Sequence, residues 1–189
     1  CIAGVRGRLD YKGRVVDELD EDGVVKAARH LTEDHGVEAI AICFLFSYID
    51  PAQEQRAAAL IREALPRVRV SVSSNIAREH REYERTSTTV LDAYIRPIFE
   101  RYVDELEGRM RESAFSGRFL IMRSGGGAMT AEAAKLSPTN TILSGPAGGI
   151  AGACFLGATL DRQDLISFDV GGTSLDVCMI EGGQAVAAF

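Results

Sequence analysis

The segment Asp169-Val170-Gly171-Gly172-Thr173-Ser174-Leu175-Asp176 sets two glycines and two hydroxyls between two carboxylates, a composition suited to gripping a phosphate. Adjacent glycines allow positive φ and remove both Cβ atoms, so successive backbone N–H groups can point at an anion held over the turn. Thr173 and Ser174 add hydroxyl donors. A carboxylate beside a phosphate is repulsive unless a cation lies between them, which assigns Asp169 and Asp176 to Mg²⁺ or its waters. The plainer alternative is a hairpin whose Gly-Gly serves strand twist and whose acids are merely solvated.

Two further glycine-rich segments stand upstream. Ser124-Gly125-Gly126-Gly127 follows the apolar run Phe119 to Met122 and reads either as a loop beyond the carboxyl end of a parallel strand, where ligands bind, or as packing. Ser144-Gly145-Pro146-Ala147-Gly148-Gly149 opens an apolar helix reaching about Leu160. Its small residues Gly145, Gly148, Gly149 and Gly152 read as a close helix contact ahead of a ligand site. Glu82 and Arg85 are i, i+3 neighbours able to pair at the solvated start of a long helix. His30, His35 and His80 lack metal-ligand spacing and receive no role.

The elements that must position these residues follow from period. Gly4 to Val16 reads as a hairpin around Asp10-Tyr11-Lys12-Gly13, and Asp20 to Asp34 as a helix closed by Gly36. Glu38 to Phe46 is a nearly continuous apolar run, the pattern of a strand buried on both faces. Asp50-Pro51 caps a helix to Leu65, and Val68 to Val72 alternates as a strand. From about Arg78 to Glu112 runs one helical pattern whose stripe of Val90, Leu91, Tyr94, Ile95, Ile98, Phe99, Tyr102, Val103, Leu106 and Met110 should cover the core, with a kink or break at Pro97. Leu165 to Val170, Ser174 to Ile180 and Gln184 to Phe189 form a meander, and the best domain boundary falls near Asp161 to Asp164. Alternating strand and helix before that point implies crossovers and a largely parallel sheet.

Composition bounds the function. The chain has 189 residues, 46% hydrophobic and 25% charged, with 21 basic against 27 acidic residues and a net charge of −6. That is the balance of a globular chain able to bury a core. Dispersed Lys and Arg on an acidic total argue against a nucleic acid or an anionic membrane surface as partner. Cys1, Cys43, Cys154 and Cys178 show no Cys-x-x-Cys pairing and read as reduced thiols, which suits a cytoplasmic location. The chain opens at Cys1-Ile2-Ala3-Gly4 without Met, and the expectation is a part of a longer polypeptide.

The turn at Gly171-Gly172 after a glycine-rich helix resembles the phosphate hairpin of the superfamily of actin, sugar kinases and heat-shock ATPases. The combination of Arg81-Glu82-Tyr83-Glu84-Arg85-Thr86-Ser87-Thr88-Thr89, Ser124 to Gly127, Ser144 to Gly149 and Phe168 to Asp176 more closely resembles the hydantoinase A and 5-oxoprolinase family. Leu175 stands where that family usually has Thr, and Gly125 where it often has a polar residue.

The resemblance implies an α/β, ribonuclease-H-like (actin-like ATPase) fold: a mixed, mostly parallel sheet with helices on both faces. Residues 1–160 would be the later part of a first lobe, with a long helix at about 78–112 and a connecting helix at about 145–160. Residues 161–189 would open the β-meander of a second lobe with the phosphate hairpin. It implies ATP and Mg²⁺ as cofactors, with Ser124, Gly125 and Gly126 joining Asp169, Gly171, Gly172, Thr173, Ser174 and Asp176 around the nucleotide, and Asp169 and Asp176 on the metal.

The implied partners are a small cyclic amide, the missing remainder of the chain and a second hydantoinase-type subunit. Family members carry a first Asp-x-Gly-Gly-Thr hairpin near their amino terminus, and none precedes residue 169. The expectation is therefore an internal fragment with half a cleft, inactive alone. The implied reaction is ATP-dependent opening of a hydantoin or 5-oxoproline ring through phosphorylation of the amide oxygen. The alternatives are the ATP-using subunit of a ketone carboxylase, acting on an enolate oxygen, and a non-catalytic nucleotide-responsive actin-like protein.

Overall fold

The computed structural model describes residues 1–186. The chain forms two compact units, Cys1–Phe115 with Ser137–Thr139, and Ser116–Leu136 with Asn140–Phe189.

The first unit opens with β1 (Arg8–Leu9) and β2 (Val15–Asp17), an antiparallel pair. Its turn is held by Asp10, whose Oδ1 accepts the N–H of Lys12 and Arg14, while Gly13 supplies a φ of +78°. Asp20 caps α1 (Glu21–Arg29) by accepting the N–H of Gly23 at 3.0 Å. A π-helical turn, His30–Asp34, extends α1, and Gly36 at φ +65° ends it. β3 (Ala39–Ile42) pairs in parallel with β4 (Arg69–Val72), joined by α2 (Ala52–Ala64), whose first N–H is taken by Asp50 Oδ1 at 2.9 Å. A single-turn α3 (Ser73–Ile76) leads to α4 (Glu82–Glu112).

The core lies where α1 and α2 meet the two strands: Val24, Ala28, Ile40, Ile42, Ala57, Ala58, Ile61, Val70 and Val72. Ser71, between Val70 and Val72, points the other way and bonds Asp92 of α4, so α2 and α4 cover opposite faces.

Three expectations change here. The apolar run predicted as one strand over Glu38 to Phe46 stays extended only through Ile42, then turns, with Phe46 at φ 60°. Of the kink or break expected at Pro97, the break is absent, since α4 runs through it as one helix. The expected apolar stripe of α4 is covered only in part: Val103 is buried and Ile95, Phe99, Leu106 and Met110 are half-buried, whereas Val90, Leu91, Tyr94, Ile98 and Tyr102 are exposed, and the most deeply buried face is mainly polar, with Arg85, Thr89, Asp92, Ala93 and Arg96. The sheet face under α4 offers hydroxyl and carbonyl groups, and those select charged partners over aliphatic ones.

In the second unit, β5 (Leu120–Met122) and β6 (Ala128–Thr130) form an antiparallel hairpin, followed by α5 (Ala131–Leu136). α6 (Ser144–Thr159) packs on β5 and on a meander of β7 (Leu165–Val170), β8 (Leu175–Glu181) and β9 (Gln184–Ala185). The last strand was expected to reach Phe189, and residues 187–189 lie outside the described ones. Gly182 and Gly183, at φ +56° and +78°, make the β8–β9 turn. Among the described residues only β3 and β4 are parallel, so the mostly parallel sheet expected from strand–helix alternation is replaced by four small sheets. The run at 120–122 pairs with its own next segment across a glycine turn, a local hairpin that closes at less entropic cost than a crossover.

Candidate functional site

The β7–β8 hairpin carries the residues expected to bind phosphate. In its register Asp169 faces Asp176 and Val170 faces Leu175, and Gly171 N–H donates to Ser174 O at 2.9 Å to close the turn. Asp169, Gly171, Gly172, Thr173, Ser174 and Asp176 are all exposed.

The glycines act differently from the sequence expectation. Neither Gly171 nor Gly172 adopts a left-handed φ, so positive φ is not what this turn demands of them. A Cβ on Gly172 would meet nothing within 4 Å, and one on Gly171 would sit in ordinary contact with Ser174, at 3.5 Å. Their contribution is bare backbone at an open tip, which an anion can approach closely.

Alternation sorts the two faces of the hairpin. The acids lie on the face of Ser167 and Cys178, while Ile166, Phe168, Val170, Leu175, Val177 and Met179 share the opposite face and are exposed. Two carboxylates side by side supply hard oxygen donors on one surface. That suits Mg²⁺, which takes one or two carboxylates and completes its shell with waters and phosphate oxygens. Among the described residues no cluster of three or more His, Cys, Asp or Glu could hold a metal by itself.

The Ser124 loop is built more tightly. Arg123 N–H donates to Gly127 O and Gly126 N–H to Arg123 O, each at 3.0 Å, and Gly126 and Gly127 require glycine at φ +83° and +74°. Ser124 is committed to structure. Its N–H and its hydroxyl both donate to Asn140 O, at 2.7 and 2.9 Å, and its Oγ accepts Leu143 N–H at 3.1 Å, the residue that caps α6. The hydroxyl proton is thus spent on backbone, while Gly125 and Gly127 are the exposed glycines of the loop, with open space beside them. The loop follows a strand of an antiparallel hairpin and not a parallel strand, contrary to the expectation above.

α6 is the element that both turns share, since it packs on β5 and on β7. Its expected small-residue stripe is open: Gly145, Gly149 and Gly152 have nothing within 4 Å of a built Cβ, and Gly148 only Met122, at 3.8 Å. Close packing falls instead at Gly157, where a Cβ would lie 2.6 Å from Arg162 O and 2.7 Å from Leu165 Cδ1.

In the first unit, sequence reasoning missed a buried polar ladder. Arg85, read as solvated, is 1% exposed, and donates to Phe44 O at 2.8 Å and to Ser47 Oγ. Glu82 lies 3.7 Å from it, the pairing expected from i, i+3 spacing. Glu54, fully buried, accepts Phe44 N–H and Ser73 Oγ–H at 2.7 Å and Ser74 N–H at 3.0 Å. Asp92, also fully buried, accepts from Ser71, Arg96 and both the N–H and hydroxyl of Thr139. The signal was present as a polar repeat, Arg85, Thr89, Asp92 and Arg96, at helical spacing. Burial pushes the Cys43 thiol up, against smaller lowering effects from Thr89 and Thr86.

The hydantoinase/oxoprolinase family model matches residues 85–189, and that of the hydantoinase/oxoprolinase N-terminal region matches residues 2–65. The chain is 35% identical over 184 residues to the acetophenone carboxylase gamma subunit of Aromatoleum aromaticum, covering 95% of this chain and 25% of that one. It is 33% identical over 180 residues to the caprolactamase subunit alpha of Pseudomonas jessenii, covering 95% and 26%. The nucleotide-free structure of acetone carboxylase superposes with a TM-score of 0.81 at 32% identity, over 96% of this chain and 26% of that one. The chain spans about a quarter of the length of these relatives. No helix among the described residues is long and apolar enough to cross a membrane.

Proposed function

Because the chain belongs to the hydantoinase/oxoprolinase family, we propose that it is part of an ATP-dependent enzyme in which the β7–β8 turn holds nucleotide phosphate and the reaction is ring opening of a cyclic amide. The observation that carries this reading is the open Gly171-Gly172-Thr173-Ser174 tip flanked by the paired carboxylates Asp169 and Asp176. The bare tip would receive phosphate oxygens, Thr173 and Ser174 would donate hydroxyl bonds to them, and the two acids would hold Mg²⁺ or its waters. Magnesium would neutralise phosphate charge when bound.

A resonance-stabilised amide is a poor electrophile; with its oxygen phosphorylated, the carbon would accept water, the C–N bond would break with the ring nitrogen leaving as the amine, and hydrolysis of the resulting acyl phosphate would release carboxylate and phosphate. The tip's role is to place the terminal phosphate, so catalysis rests on position and charge neutralisation. Gly125 and Gly126 would line the same nucleotide, with Ser124 fixing their loop to the start of α6. We further propose that the hairpin opens the second lobe of an actin-like ATPase, that the parent works in the cytoplasm, and that a second subunit completes it, as the subunit names of its relatives suggest.

A second reading is supported by the 35% identity to a ketone carboxylase subunit, which slightly exceeds that to the caprolactamase. There the phosphoryl group would go to an enolate oxygen. The test is phosphate release by the longer gene product with its neighbouring subunit, in Mg-ATP, with 5-oxoproline, caprolactam or hydantoin in one series and acetone or acetophenone plus bicarbonate in the other. Stimulation by a cyclic amide supports the hydrolase, stimulation by a ketone supports the carboxylase, and none with either would remove both.

A further inference from the structure

Asp92, fully buried on α4, divides its carboxylate between two tasks. Oδ2 accepts the hydroxyl of Ser71, on β4, at 2.6 Å and Nη2 of Arg96, one turn along α4, at 3.0 Å, which fixes the carboxylate against the sheet. Oδ1 reaches elsewhere. It accepts both the N–H and the hydroxyl of Thr139, at 3.3 and 3.1 Å, 47 residues along the chain. Thr139 lies in a single 3₁₀ turn, Pro138–Thr141, whose buried proline has its φ fixed by the ring. The next residue is Asn140, and its carbonyl is the one that accepts the Ser124 N–H at 2.7 Å and the Ser124 hydroxyl at 2.9 Å. Ser124 Oγ in turn accepts Leu143 N–H at 3.1 Å, just ahead of α6. The glycine loop is thus tied to a turn that a carboxylate of α4 holds.

We propose that Asp92 and Thr139 are positioning residues for the nucleotide: they hold the Pro138–Thr141 turn so that Asn140 O sets the place of the Ser124 loop, and with it the affinity for Mg-ATP. This rests on the reading that Gly125 and Gly126 line the nucleotide. Three features select positioning over packing. A buried charged group is poorly explained by stability, since a well-packed apolar residue with apolar partners serves a core as well or better. Asp92 instead spends one oxygen wholly on Thr139, a half-buried residue of a short turn. Second, the N–H and the hydroxyl of Ser124 both go to one carbonyl, so a shift of Asn140 O moves the whole first residue of the loop. Third, the loop closes on itself through Gly126 N–H to Arg123 O and Arg123 N–H to Gly127 O, so it moves as one piece. Backbone donors are directional, and a small rotation of that piece weakens any bond it makes to phosphate.

The test measures phosphate release by the longer gene product with its neighbouring subunit, and hydrogen exchange in the 189-residue chain. Thr139→Val deletes the hydroxyl bond and keeps the N–H, whereas Asp92→Ala deletes both bonds to the turn. KM for Mg-ATP should rise about threefold in Thr139→Val and about tenfold in Asp92→Ala, with kcat within about twofold, the pattern of lost uniform binding. Thr139→Ser keeps the hydroxyl and should keep the wild-type KM. Added to Ser124→Ala, Thr139→Val should raise KM no further, because both break one line of bonds. In the short chain each of Thr139→Val and Asp92→Ala should speed exchange of the Ser124 and Leu143 amides at least about fivefold while the paired amides of β7 and β8 keep their rates. Wild-type exchange at Ser124 and Leu143, faster exchange everywhere, an unchanged KM, or a multiplied KM in the double variant would overturn the proposal. A longer product that turns over no ATP with any substrate removes the functional reading instead, and the exchange comparison still decides whether Asp92 and Thr139 hold the loop. Where Asp92→Ala does not fold, Thr139→Val and Thr139→Ser decide alone.

Discussion

Asp169 and Asp176 are direct partners across the β7–β8 ladder, so two carboxylates stand on one face of a hairpin whose tip is bare backbone. Like charges directly opposite one another are destabilising. The first prediction follows: Asp169→Asn should raise the melting temperature of the 189-residue chain by roughly one to two degrees in low salt, with the gain fading in 0.5 M salt as screening grows. The same change in the longer gene product should reduce substrate-stimulated phosphate release on the order of 100-fold, by removing a preorganised charged group. A wild-type turnover in Asp169→Asn would make the hairpin purely structural.

Arg85 should be far less replaceable than its place in a surface-like charge run suggests. Its guanidinium holds Phe44 O and Ser47 Oγ from a fully enclosed position. Arg85→Lys keeps the charge and loses the forked geometry, and Arg85→Ala loses both. Urea denaturation should show losses of about 1–2 kcal/mol for Lys and about 3 kcal/mol for Ala, from hydrogen bonds to a charged group and the groups left unmet.

Asp92 is the corresponding anchor on the next turns of α4. Asp92→Ala removes the acceptor for Ser71, Arg96 and Thr139 and should cost about 3–5 kcal/mol, the range for breaking a buried ion pair from one side. Asp92→Asn retains acceptor oxygen and should cost less. A double-mutant cycle with Arg96→Met should recover part of the loss, because the unmatched charge is then gone.

Glycines along α6 should separate into two classes. Gly149→Ala and Gly152→Ala meet open space and should stabilise the chain by up to about 1 kcal/mol each through helix propensity. Gly157→Ala places a Cβ 2.6 Å from Arg162 O and should destabilise it. Thermal melts of the three single variants check this, and a stabilised Gly157→Ala would show that the α6–β7 corner relaxes freely.

Cys43 should alkylate more slowly than the exposed Cys1 at pH 8, because burial raises its thiol and lowers its thiolate fraction. Its rate should keep climbing as pH rises past the ordinary thiol range. Mass-resolved iodoacetamide labelling from pH 7 to 10 measures it. Since the neutral thiol is favoured in the fold, stability linked to this group is present below the unfolded thiol pKa and is lost as pH rises through the folded one.

What the amino-acid sequence determined by itself is local. Asp10 and Gly13 specify their turn, Asp20 and Asp50 start their helices, Gly36 ends one, and the paired glycines at 182 and 183 make a hairpin, because each acts through hydrogen bonds or φ values within a few residues. The candidate phosphate turn belongs to the same class, since its two acids and two hydroxyls lie within one short hairpin. Only the tertiary structure decided the rest. Leu120–Met122 reads as a buried strand in any sheet, and its partner proved to be the adjacent Ala128–Thr130. The Ser124 hydroxyl was free to face a ligand until Asn140 and Leu143, far along the chain, claimed it. α4 carries both an apolar and a polar stripe; the hydroxyl and carbonyl groups of β4 drew in Asp92 and Arg96, and those of the turn after β3 drew in Arg85, leaving Val90, Tyr94 and Ile98 uncovered. Periodicity shows that a helix has two faces, but the energy that chooses between them comes from whatever lies across from each, and that is set by residues distant in sequence.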